Sequence, residues 1–271
     1  MLQDLFHTNE DDAVAASSGG QPPQTVRSFS HHMKTRPVEI KLTLLNQHHS
    51  LWANCLWNAS VAIADLLETT FLPHCSGKRV LELGCGAGLP SLVAHQLDAK
   101  EVLLTEYPEE TLLKIVNQNI SINIKKGSSH IKASGLRWGD RQEISKIRAA
   151  YPDGFDLIIL SDLIFNHSQH IPLLATASAL LNKNSRDAML LVAFSHHRPH
   201  KISEDLNFFH LAAHGRAPEE AGHNDTFPGL SFPPFIVVKT DTIVMQPMFE
   251  HDKGDPVIRS QVHVYTLKHA Q

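Results

Sequence analysis

Glu82-Leu83-Gly84-Cys85-Gly86-Ala87-Gly88 is the stretch of this chain whose residue types and spacing carry the most chemistry. Glycines let backbone approach a ligand closely, and a helix starting just after them offers unpaired N–H groups. A nicotinamide-dinucleotide fingerprint, G-x-G-x-x-G counted from Gly84, needs a glycine where Leu89 stands. The pattern present is E-x-G-x-G-x-G. An acid just ahead of the loop suits a cationic, amino-acid-like cofactor and sits badly beside a pyrophosphate, so Glu82 can hold the amino-acid portion, directly or through water. Glu106 stands 22 residues after Gly84, at the end of the next apolar run. An acidic side chain there accepts hydrogen bonds from both ribose hydroxyls of a nucleoside; the plainer reading is a solvated strand-end glutamate.

Histidine is the compositional oddity, at 19 residues. His196/His200 and His210/His214 are four apart, but neither pair encloses the glutamate of a zinc-protease helix. The sequence therefore predicts no metal site. Three cysteines, Cys55, Cys75 and Cys85, have no paired spacing and fit a reducing, cytoplasmic home rather than a disulfide framework. A net charge of −4 argues against a general nucleic-acid or membrane-surface binder, though not against a basic partner. No apolar run reaches the ~18–20 residues of a membrane span, and the first residues, MLQDLFHTNEDD, lack the pattern of a secretory signal.

The elements that must position these groups follow from periodicity. Residues 1–26, acidic and then rich in Ala, Ser, Gly and Pro, read as a disordered tail. Residues 27–76 read as an N-terminal extension, with an alternating strand from Val38 and a helix from about Asn58, packing on a domain that spans 77–271. In that domain strands are expected at Lys78–Leu83, Glu101–Glu106, His130–Trp138, Phe155–Leu160 and Ala188–Phe194. Helical spacing fills the segments from Leu89, from Pro108 and from Ser168 to Leu181. Ser203–Ala213 reads as a further helix, and Phe235–Met245 and Gln261–Lys268 as an antiparallel pair, since no long helix separates them. The fold class is α/β: a Rossmann-like seven-stranded sheet, mostly parallel with an antiparallel C-terminal strand pair, the outline of an adenosylmethionine-dependent methyltransferase.

Leu56-Trp57-Asn58-Ala59, VLELGCGAGLPS at 80–91, Thr105-Glu106-Tyr107-Pro108, Trp138-Gly139, SDLIF at 161–165 with Asn166-His167-Ser168, and SHHRPH at 195–200 occur in one order. Together they resemble the fungal nicotinamide N-methyltransferase-like proteins, whose better-understood members are protein N-terminal and lysine methyltransferases of translation elongation factor 1-alpha. The resemblance runs from about Val38 to Leu267. It implies S-adenosylmethionine as cofactor, with contacts at Trp57, Gly84, Cys85, Gly86, Glu106, Trp138 and Ser161, the two tryptophans walling the adenosine pocket; the methionine portion is then the amino-acid part that the loop pattern assigns to Glu82. Asp162-Leu163-Ile164-Phe165 matches the D-x-x-F/Y pattern of the lysine methyltransferases rather than N-P-P-Y. In this role Asp162 orients an amine and Phe165 offers a π-face to its ammonium form; the bland reading is a helix cap and a core phenylalanine. His196-His197-Arg198-Pro199-His200 is expected at the substrate entrance with no task assigned, Arg198 being as well suited to an internal carboxylate.

The implied reaction is methylation of a protein amine, a lysine and/or an N-terminal amino group, with elongation factor 1-alpha as first candidate and no role for nucleic acid or membrane. Two rivals stay open at this point. One is a small-molecule N-methyltransferase acting on nicotinamide or another amine. The other is an adenosylmethionine-binding subunit that regulates a protein complex.

Overall fold

Four runs of the sequence carry apolar residues at successive positions, Val-Leu, Val-Leu-Leu, Leu-Ile-Ile-Leu and Met-Leu-Leu-Val-Ala-Phe, and a strand of that kind leaves water only if both its faces are covered. The computed structural model describes residues 26–45, 55–125, 127–217, 227, 229–248 and 255–270. In it these runs form the middle of one sheet: β3 (Arg79–Leu83), β4 (Glu101–Glu106), β6 (Leu157–Ser161) and β7 (Met189–Phe194). With β5 (Ile131–Gly135), β8 (Phe235–Val244) and β9 (Gln261–His269) they give the order β5-β4-β3-β6-β7-β9-β8. The first five strands are parallel, and β9 runs antiparallel to both neighbours. The seven-stranded expectation, with its antiparallel terminal pair, is met.

Alternate side chains of each strand feed two separate cores. Val80, Val102, Leu157 and Leu191 face one side, covered by α1 (Asn58–Leu67), α3 (Leu89–Gln96) and α4 (Glu110–Asn123). Leu81, Leu103, Ile158 and Val192 face the other, covered by α5 (Arg141–Ala150), α6 (His170–Leu180) and α7 (Ile202–His214). Two short helices, α2 (Leu72–Cys75) and α8 (Pro256–Arg259), complete the described α-helices. Among the described residues no helix is long and apolar enough to cross a membrane. Because β3 pairs with β4 on one side and β6 on the other, strand order reverses at β3, and the crevice at the carboxyl ends of these strands is where open α/β sheets place ligands.

Ahead of the sheet, β1 (Val26–His32) and β2 (Glu39–Leu45) form a separate antiparallel hairpin. Side-chain amides of α4 stand in for a third strand: Asn119 accepts from Thr43 N at 2.7 Å and donates to Thr43 O at 3.0 Å, and Asn123 brackets Lys41 in the same way. A second bond from Asn119 reaches Ala87 O at 3.0 Å, tying hairpin and glycine loop to one helix.

Several sequence readings shift. β1 was not expected, and it begins at Val26, the last residue assigned to the tail; residues 1–25 lie outside the described residues. α5 was also missed, although Asp140 caps it by accepting from Gln142 N and Glu143 N at 3.0 Å. The third strand is shorter than 130–138, and the helix expected from Ser168 opens as a 3-10 turn at His167–Gln169.

Candidate active site

Strand β3 delivers its chain into a loop whose backbone only glycine accommodates comfortably. Gly84 has φ +58°, and a Cβ there would lie 2.8 Å from Leu163 Cδ2 and 3.0 Å from Trp138 Cζ2. The loop is then fastened to the next strand: Cys85 N donates to Thr105 O at 3.0 Å and Gly86 N to Glu106 Oε2 at 2.7 Å. The other Glu106 oxygen accepts from Tyr107 N at 2.8 Å. A carboxylate oxygen accepts more than one hydrogen bond, so a carboxylate fixed this way is rigid and still able to receive a ligand hydroxyl. Burial and then the Glu106 charge push the Cys85 thiol well above its ordinary value, so it stays protonated.

Glu82 lies beneath this loop, fully buried. Its Oε2 accepts from Ser91 N at 3.1 Å and Ser91 Oγ at 2.5 Å, holding the first turn of α3, while Oε1 has no partner. Burial pushes its carboxyl up to about 8, against the lowering effect of the Ser91 bonds.

A cavity of about 510 Å³ opens above the loop. Gly84, Cys85, Gly86 and Glu106 line its floor, Trp57 and Trp138 line its walls, and Ser161, Asp162 and Phe165 sit at the end of β6. Of the ten residues singled out from sequence, the structure gathers nine around one cavity; Glu82 is the exception. Ser161 Oγ is buried there without a partner. A slightly larger cavity of about 580 Å³, lined by Arg148, Lys183 and Phe232 among others, lies apart from the glycine loop and shares none of these residues.

The residue that sequence reasoning left without a role is His197. Its Nε2 lies 2.8 Å from Asp162 Oδ1, and its ring stands edge-on to Trp57 at 4.8 Å and to Phe165 at 6.3 Å between centroids. A carboxylate accepts, so the ring N–H donates. Asp162 itself takes a left-handed backbone, φ +58°, a conformation that Asp and Asn tolerate better than most residues. Its second oxygen, Oδ2, is buried with no partner among the described residues. Arg198 does not meet a carboxylate; it donates to Phe165 O at 2.8 Å and so pins the residue beside the mouth. Behind this layer the buried Asp205 of α7 bridges His167 and His196 at 2.7 Å each, bracing the segment that carries His197. The signal was present in the sequence, since SHHRPH follows β7 directly, but only the tertiary pairing tells which histidine turns inward.

A family model described as lysine methyltransferase matches residues 37–214. The chain belongs to the lysine methyltransferase family. It is 35% identical over 248 residues to the protein N-terminal and lysine N-methyltransferase efm7 of Schizosaccharomyces pombe, covering 91% of this chain and 89% of that one. The corresponding EFM7 of Candida glabrata is also 35% identical, over 88% of this chain and 84% of the relative. Among solved structures, a candidate RNA methyltransferase from Pyrococcus horikoshii shares the fold at TM-score 0.53 and 16% identity, over 85% of this chain and 93% of its own. SMU.776, a candidate methyltransferase complexed with SAH, matches at TM-score 0.54 and 11% identity over 95% of this chain and 59% of its own.

The family member is thus an enzyme that takes S-adenosylmethionine as cofactor. The residues present fit that group: a glycine cradle with open space over Gly86, a fixed carboxylate at Glu106, two flat aromatic walls and an unpartnered Ser161 hydroxyl.

Proposed function

We propose that this lysine methyltransferase family member methylates amine nitrogens of a protein substrate, a lysine side chain and/or an N-terminal amino group. The observation carrying this reading is Asp162 at the mouth of the cofactor cavity, one oxygen tied to His197 and the other buried without a partner. When bound, S-adenosylmethionine supplies an electrophilic methyl group on a sulfonium sulfur. Glu106 would take the ribose hydroxyls, Trp57 and Trp138 would wall the adenosine end, Ser161 would offer its hydroxyl, and Gly84, Cys85 and Gly86 would present backbone. Glu82 stabilises the loop from below through Ser91, and would carry a charge for the cationic amino-acid portion only on giving up the proton that burial favours. On the acceptor side, a lysine with a pKa near ~10.4 must shed a proton before it can attack. Asp162 Oδ2 receives that ammonium, orients it and accepts its proton as general base, leaving the neutral amine to attack, while His197 holds the carboxylate in place. Phe165 gives the ammonium a π-face on entry. Positioning supplies the rest of the acceleration.

Support for a protein acceptor comes from the names of the relatives and from the D-x-x-F segment at the site. Elongation factor 1-alpha is the first substrate to try, and work on it would place the enzyme in the cytoplasm. Incubated with S-adenosylmethionine, that protein should gain methyl groups on an amine nitrogen by mass spectrometry. Asp162→Asn keeps the left-handed backbone accessible, so it tests the charge rather than the fold. It should retain cofactor affinity and lose ~10²–10⁴-fold in transfer rate. Efficient methylation of nicotinamide with proteins untouched would replace this reading by the small-molecule one. Cofactor binding with no acceptor of either kind modified would favour a regulatory subunit.

A further inference from the structure

On the hairpin side of α1, away from the cavity, three ligand-type atoms converge. His31 Nε2 of β1 lies 4.0 Å from Asp65 Oδ1 and 3.9 Å from Glu68 Oε1, and all three atoms fall within 4.8 Å of one another. Asp65 and Glu68 are three apart on α1 and its C-terminal cap, so they share a helix face. His31 is 8% and Glu68 2% exposed. Among the described residues none of the three atoms has a hydrogen-bond partner, although each is buried. Buried polar atoms are ordinarily satisfied, so three orphans facing one point call for a common partner.

Their outer neighbours turn them inward. Lys34 Nζ holds Asp65 Oδ2 at 2.6 Å, and Thr35 donates its N–H and its hydroxyl to Glu68 Oε2 at 2.7 Å each. One oxygen of each carboxylate is thereby anchored and the other is left pointing at the imidazole, the arrangement by which outer-shell bonds orient metal ligands. Charge points the same way, since two carboxylates face a single lysine.

We propose that His31, Asp65 and Glu68 form a divalent-cation site, with zinc the metal it suits. One imidazole with two carboxylates is a nitrogen–oxygen set that zinc accepts and that calcium and magnesium, which take all-oxygen sets, do not favour. The site is structural: it staples the hairpin to α1, the helix immediately preceded by Trp57 of the cofactor cavity. Histidine spacing along the chain does not reveal it, because its ligands come from positions 31, 65 and 68 across a tertiary contact.

The test uses the full chain, stripped with a chelator and titrated with zinc alone by calorimetry, beside His31→Ala, Asp65→Asn and Glu68→Gln. Wild type should bind one equivalent at least about tenfold more tightly than each variant, and zinc should raise its melting temperature but not theirs. The two amide variants preserve shape, so they carry the comparison if His31→Ala fails to melt cooperatively. Equal zinc binding by wild type and the amide variants would assign uptake to surface histidines and overturn the proposal. No zinc uptake by wild type would overturn it in favour of a bridging water or a protonated His31.

Discussion

Glu82 shows how one side chain answers to two demands. It closes the first turn of α3 through Ser91, yet burial holds its carboxyl at about 8, against an ordinary 4.5. Over that interval the folded chain keeps a proton that the unfolded chain has released. The contribution of this group to stability is therefore lost progressively as pH climbs from about 4.5 toward 8, and levels off above. A tenfold change in proton affinity between the folded and unfolded chain is worth about 1.4 kcal/mol, so the cofactor-free protein should lose on the order of 3–5 kcal/mol from this residue. Glu82→Gln removes the titration while keeping the bonds to Ser91. Urea unfolding at pH 5 and pH 8.5 should show a smaller difference for the variant than for wild type; identical pH dependence would refute the assignment. A cationic ligand reaching the unpartnered Oε1 would reverse the trend by favouring the charged form.

At the level of elements, the strand-to-helix loop is held open by what it lacks. Gly84→Ala would place a methyl against the Trp138 ring and Leu163, on a left-handed backbone that costs about 1–2 kcal/mol for a residue with a Cβ. Calorimetric titration should find weaker S-adenosylmethionine binding, and chemical denaturation a loss of at least that size; an unchanged midpoint and affinity would mean the loop relaxes without strain. Such loops and the strands feeding them are legible in sequence because their signal is local. FDLIIL is apolar at all but one position, EVLLTE carries an unbroken Val-Leu-Leu, and the loop glycines stand at alternate positions 84, 86 and 88. α5 escaped because only Ile144 and Ile147 are buried, too few to set a period. β1 escaped because VRSFSHH has little apolar alternation and its pairing with β2 is what makes it a strand. At the site, Trp57, Glu106 and Asp162 were readable from motifs. His197 was not, since its role lies in a 2.8 Å contact between residues 35 apart, and nothing in SHHRPH tells the inward ring from the outward ones.

For the whole molecule, the order in which the chain is laid down differs from the order in which the sheet is stacked. β9 comes after β8 in the chain and yet lies between β7 and β8. Until it is made, β8 has no neighbour in the sheet, and Phe194 and Val192 of β7 lack the strand that covers their outer edge. Assembly therefore cannot proceed strand by strand from the N-terminal end; the last strand must slot into a gap whose far wall it also creates. A chain cut after Ser260 should accordingly forfeit two strands rather than one, leaving the apolar Ile236, Val237 and Val238 of β8 with no partner strand. It should give no cooperative melt and should bind a hydrophobic dye, whereas a sharp transition in that truncation would show that the parallel half stands alone. The same interleaving makes β9 a latch: one strand secures two that precede it in the chain, so a copy without it is marked by exposed strand edge on both.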